Sequence, residues 1–125
     1  MESNLIKKNE MKASPDKYRL QAYHHLKSQL HLNDEQTINI LGTLATPLKT
    51  TLQSVEEAHT KHDLNAISEA AHSLKGALLN LGLDELAEIA KIIEKSSSMG
   101  EKISHKKQLT YIKEALQQLI NKDNV

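Results

Sequence analysis

Within Ala71-His72-Ser73-Leu74-Lys75-Gly76, three residues could do chemistry together. His72 brings an imidazole, which attacks phosphorus when one ring nitrogen is unprotonated, as is largely true of the group near neutral pH. Lys75 follows three residues on, so on a helix its ammonium reaches a group carried by the ring and can stabilise phosphoryl oxygens. Gly76 is one further, and it leaves the surface beside the imidazole without a side chain, so another molecule can come close. Glycine inside an exposed helix costs about 1 kcal/mol relative to alanine. Clearing the approach to His72 is the return on that cost. A histidine alone on a polar face is most simply a solvated residue; the three together argue for a site.

These residues need a helix to position them, and the chain supplies five. Residues 1–13 are polar and aperiodic and read as a flexible arm ahead of a bundle over residues 14–121. Ser14-Pro15-Asp16 combines an N-cap, a first-turn proline and an early acid, and Leu20, Tyr23, Leu26 and Leu30 supply the first apolar face. Asn33-Asp34-Glu35-Gln36 has the pattern of a capping box. Leu41, Leu44, Leu48, Leu52 and Val55 then form one stripe through a long helix containing Pro47, which removes a backbone donor and should bend it.

Asp63 caps the next helix, whose stripe is Leu64, Ile67, Ala71, Leu74, Leu78 and Leu81, with Gly82 as its stop. Leu86, Ile89, Ala90 and Ile93 mark a fourth helix, expected to end at Ser96-Ser97-Ser98-Met99-Gly100. Leu109, Ile112, Leu116, Leu119 and Ile120 mark the last. No alternating strand pattern, repeat or phosphate-binding glycine loop occurs. Short links between amphipathic helices predict an all-α fold: an antiparallel up-and-down four-helix bundle with a short additional N-terminal helix.

On a wheel of about 100° per residue, His72 lies roughly 150° from the centre of its helix's leucine stripe. It therefore faces solvent. The same outward face carries Asn65, Ser68, Glu69, Gly76 and Leu79, with Lys75 at its margin.

Composition narrows the function classes. Lysine plus arginine and aspartate plus glutamate number sixteen each, so net charge offers no electrostatic case for nucleic acid or a membrane surface. Arg19 is the only arginine, tryptophan and phenylalanine are absent, and Tyr18, Tyr23 and Tyr111 are the only tyrosines, so stacking platforms for single strands are missing. Absence of cysteine excludes disulfides and thiolate metal sites and fits a reducing compartment. The N-terminus lacks the apolar core of a secretory signal, and no run approaches the ~18 apolar residues of a membrane span. The expectation is a soluble, cytoplasmic, monomeric protein.

The motif Ala71-His72-Ser73-Leu74-Lys75-Gly76 followed by Asn80-Leu81-Gly82 closely resembles the signature of histidine-containing phosphotransfer (HPt) domains. The resemblance covers about residues 16–120. Its specific part is His72 to Gly76; Asp63, Leu86 and Ile93-Glu94 match in type only. It departs from the pattern where Leu44 stands in place of an aromatic and where Ile93 replaces a leucine. The resemblance implies a stand-alone phosphorelay intermediate, a phosphoryl carrier and not an enzyme, without ATP-binding machinery. His72 would accept a phosphoryl group from an aspartyl phosphate of a receiver domain and pass it to the aspartate of another. The partners implied are receivers of hybrid histidine kinases and response regulators. No cofactor is expected in this chain, and magnesium is expected on the receiver. Lys75 would stabilise the phosphoryl oxygens, and Ser68, Glu69, Gly76 and Leu79 would meet the partner. Glu94 would hydrogen-bond the other ring nitrogen of His72 and fix its tautomer, or else be a surface acid balanced by Lys91 and Lys95.

The other histidines are His24, His25, His31, His59, His62 and His105. His59, His62 and Asp63 could bind a divalent ion, but histidines in a last helical turn more simply interact with its negative end, and no further ligand is evident. His24 and His25 point about 100° apart and cannot easily share an ion. Two other classes remain alongside the relay: a helical protein-binding bundle that docks receivers or kinases without transfer, and a histidine-rich metal-binding bundle.

Overall fold

The computed structural model describes residues 16–120, which contain five helices and no strand. The arm over residues 1–13, Ser14, Pro15 and residue 121 lie outside the described residues. So does the side chain of Ile120.

Helix α1 spans Lys17–Leu30 and is flanked by Asp16, whose side chain caps nothing. Asp16 is thus the boundary residue and not the first-turn acid expected of it. Its buried face is Tyr18, Ala22 and Leu26, while Leu20 and Leu30 are about half exposed. The expected face was therefore wrong in all but Leu26 and the half-buried Tyr23. The rotation follows Tyr18, a buried aromatic whose hydroxyl needs buried partners. That hydroxyl bonds Glu85 and Tyr111, each at 2.6 Å. His31 ends the helix in the left-handed conformation, φ 54°.

Helix α2 spans Asp34–Thr60. The capping box is complete: Asn33 Oδ1 accepts from the Gln36 amide at 2.8 Å, and Gln36 Oε1 accepts from the Asn33 amide at 3.0 Å. Asp34 and Glu35 add negative charge to the positive end of the helix. Leu41, Leu48, Leu52 and Val55 are buried as their spacing predicts, together with Thr37, Ala45 and Ala58. Leu44 is not; it lies at the edge of the stripe and is exposed. The helix runs on through Pro47, which sits on the exposed side.

Helix α3, Leu64–Asn80, starts at Asp63, whose carboxylate accepts from the Ala66 amide at 3.1 Å. Ile67, Ala71, Leu74 and Leu78 are buried, Leu64 is half-buried, and Leu81 is buried just past the helix. Gly82 then turns the chain at φ 73°, and a Cβ there would fall 2.4 Å from Cγ of His25. Helix α4, Asp84–Ser98, runs further than its composition suggests. Ser96 and Ser97, expected in a loop, are helical and buried because they continue the Ile93 stripe by three and four residues. Met99 and Gly100 end it. Helix α5, Lys106–Ile120, buries Leu109, Ile112, Leu116 and Leu119.

The most extensive packing joins α3 to α4, followed by α2 to α3 and α2 to α5, and α1 lies against α2 and α5. The core is aliphatic apart from Tyr18. Leu74 and Leu78, with no exposed surface, each contribute about 1.5–3 kcal/mol by burial. They lock the rotation of α3 and so hold its opposite face outward. No helix among the described residues is long and apolar enough to cross a membrane.

Candidate functional site

His72 projects from the middle of α3 with 67% of its side chain exposed. One α4 carboxylate organises it. Glu94 Oε2 lies 2.8 Å from His72 Nδ1, and Glu94 Oε1 lies 3.0 Å from Lys75 Nζ. Glu94 and Lys75 are both about three-quarters shielded from solvent. Burial pushes the Glu94 carboxyl up, but the hydrogen bonds from Lys75 and His72 outweigh it and hold the group below its ordinary value. It is ionised at neutral pH and has only acceptor capacity.

An ionised carboxylate cannot donate, so the hydrogen on this contact belongs to His72 Nδ1. In the neutral ring that leaves the lone pair on Nε2, the nitrogen Glu94 does not touch. Lys75 sits three residues along the same helix, tethered to the other oxygen. Glu94 is therefore bound by His72 and Lys75, and among the described residues its ion pairs do not involve Lys91 or Lys95. Sequence spacing placed Lys75 toward the imidazole but could not show that Glu94 joins the two, because that contact crosses between helices.

Most of the remaining residues of the outward face are exposed as the wheel places them. Glu69, Gly76 and Leu79 are exposed, Leu79 by 47%, and Ser68 is half-buried. A Cβ built on Gly76 meets nothing within 4 Å, so the space beside the imidazole is open.

The other histidines take structural places. His59 is in the last turn of α2, but its Nε2 accepts the backbone N–H of His105 at 3.0 Å, across to the start of α5. His105 is buried, its own Nε2 has no partner, and burial followed by the nearby His59 pushes its pKa down against the pull of Glu101. Nothing in its residue type marks this histidine as buried, although the α5 stripe counted back one turn from Leu109 ends on His105. His62 occupies a left-handed turn at φ 56°, His24 stacks edge-on against Tyr23, and His25 packs over Gly82. Among the described residues, no three histidine or carboxylate side chains are grouped to hold a metal ion.

Comparison with known families gives one match: a family model described as Hpt domain covers residues 39–122. The match includes His72, Lys75, Gly76 and Glu94. No curated protein and no solved structure matches the chain.

Proposed function

Since this chain belongs to the Hpt domain family, whose members carry phosphoryl groups on histidine in phosphorelays, we propose that His72 is its phosphoacceptor and exchanges the group with receiver-domain aspartates. The observation that carries this is the exposed imidazole whose Nδ1 is held by an ionised carboxylate, 2.8 Å away. That arrangement leaves the Nε2 lone pair free for a partner that docks over the open space at Gly76.

In the step proposed, Nε2 attacks the phosphorus of an aspartyl phosphate in line. The new N–P bond forms as the bond to the aspartate oxygen breaks, and the carboxylate leaves with the electron pair. The ring becomes cationic, and its Nδ1 proton stays shared with Glu94, which stabilises that charge. Lys75 swings from Glu94 toward the phosphoryl oxygens. Delivery to a second receiver is the reverse of these events. Phosphoryl transfer depends mainly on positioning and charge neutralisation, so a single nucleophile with one ammonium suffices if the receiver brings its aspartate and divalent ion.

The same reading gives the helices their arrangement, with α2 to α5 as an antiparallel four-helix bundle and α1 as the short helix leading in. Ser68, Glu69, Gly76 and Leu79 form the surface the receiver meets. The protein acts as a cytoplasmic monomer. The test is incubation with phosphorylated receivers of the source organism. Acid-labile, alkali-stable label on the wild type and none on His72→Gln is the expected result; label retained on the variant would assign the acceptor elsewhere.

A further inference from the structure

A groove of about 410 Å³ runs between α2 and α3 beside His72, and the phosphoryl chemistry makes no use of it. Its α2 wall carries Thr50, Thr51 and Ser54; its α3 wall carries Glu69 and Ser73 over a floor of alanines. Glu69 precedes His72 by three residues and Ser73 follows it directly. The groove therefore flanks the imidazole on the α2 side, whereas Glu94 holds the ring from the α4 side.

The hydroxyls of the α2 wall are biased in one direction. A hydroxyl has one proton and two lone pairs. Thr50 donates its proton to the Thr46 carbonyl at 3.3 Å, Thr51 to the Pro47 carbonyl at 2.9 Å, and Ser54 to the Thr50 carbonyl at 3.3 Å. With those protons turned back onto the helix, what the α2 wall offers outward is acceptor capacity. Glu69 adds a carboxylate, and the ion pairs formed among the described residues do not use it. A concavity with several acceptors and one negative charge suits a cation bearing several N–H donors.

We infer that this groove takes a lysine or arginine side chain from the docking face of the receiver and thereby helps select which receivers reach His72. The inference rests on the reading that His72 exchanges phosphoryl groups with a receiver. It concerns partner choice and rate of encounter, because an exposed charge acts mainly on association and is screened by salt.

The experiment uses the full chain and the receiver that phosphorylates it fastest, with a small phosphoramidate as the control donor. Glu69→Lys should slow transfer from the receiver about 10-fold at low ionic strength, and Glu69→Gln about 2- to 5-fold. The deficit should shrink at about 0.5 M salt. Thr51→Val keeps the groove's shape and removes one acceptor, so it should slow transfer by a smaller factor. Thr51→Val should label His72 from phosphoramidate at the wild-type rate, and receiver transfer to each Glu69 variant is read relative to that variant's own phosphoramidate rate. A basic-to-acidic substitution on the receiver that restores transfer to Glu69→Lys would support the pairing. Transfer to Glu69→Lys at the wild-type rate or faster at low salt overturns it. Failure of the function reading looks different: no receiver labels even the wild type, and both conclusions fall.

Discussion

Glu94 touches the imidazole and the ammonium at once, so its variants separate the two contacts. In Glu94→Gln the amide oxygen can still accept from His72 Nδ1, while the bond to Lys75 is lost. In Glu94→Ala both are lost, and the Nδ1 proton is no longer fixed. Transfer should fall a few-fold in the glutamine variant and by ~10-fold or more in the alanine variant, the scale of one charge-assisted hydrogen bond. Stopped-flow transfer from a receiver measures this, and equal rates in the two variants would show that the tautomer is not set by Glu94. His72→Gln should abolish labelling yet shift the thermal midpoint by no more than about 3 °C, because the side chain is mostly exposed and leaves the core untouched.

Helix α3 contains one glycine and ends against another, and alanine should act on them with opposite sign. Gly76 has helical surroundings and open space, so Gly76→Ala should stabilise the fold by several tenths to ~1 kcal/mol. Gly76→Gln should also fold, but its side chain would stand where the receiver approaches, and a misplacement of ~1 Å can cost on the order of 100-fold in transfer. Gly82 is different. Its φ of 73° and the His25 ring 2.4 Å from any added Cβ penalise alanine twice. Gly82→Ala should lose roughly 1–3 kcal/mol in chemical denaturation. A Gly82→Ala variant as stable as wild type would mean that α1 can move off the α3–α4 turn without cost.

For the molecule as a whole, the buried His105 sets a pH dependence. Its folded pKa lies below the ordinary 6.5, so as pH falls the unfolded chain takes up a proton first. The His105 contribution is fully present above about 6.5, is lost as pH falls from there toward the folded value, and does not change further below it. Thermal melts between pH 7.5 and 5.5 should show a falling midpoint in the wild type and a flatter profile in His105→Leu. Leucine suits the site because the buried Nε2 has no partner to lose. Identical slopes in the two proteins would remove His105 as the cause.

Local signals determined much of this protein. The Asn33 and Asp63 caps, the Gly82 turn and the leucine stripes of α2 to α5 each depend on neighbours three or four residues away, and those appear in the sequence as spacing. The outward position of His72 followed from the same periodicity, because burying Leu74 and Leu78 leaves only one direction for it. The α1 face did not follow. Four scattered apolar residues there gave a weak stripe, and Tyr18 decided the rotation through Glu85 and Tyr111, more than sixty and ninety residues away. Ser96, Ser97 and His105 were misjudged or missed because polarity suggested loop and surface, while packing between helices buried them. Only the tertiary structure could bring Glu94 to His72 and Lys75, since a contact spanning two helices depends on how they pack, and helical periodicity carries no information about that.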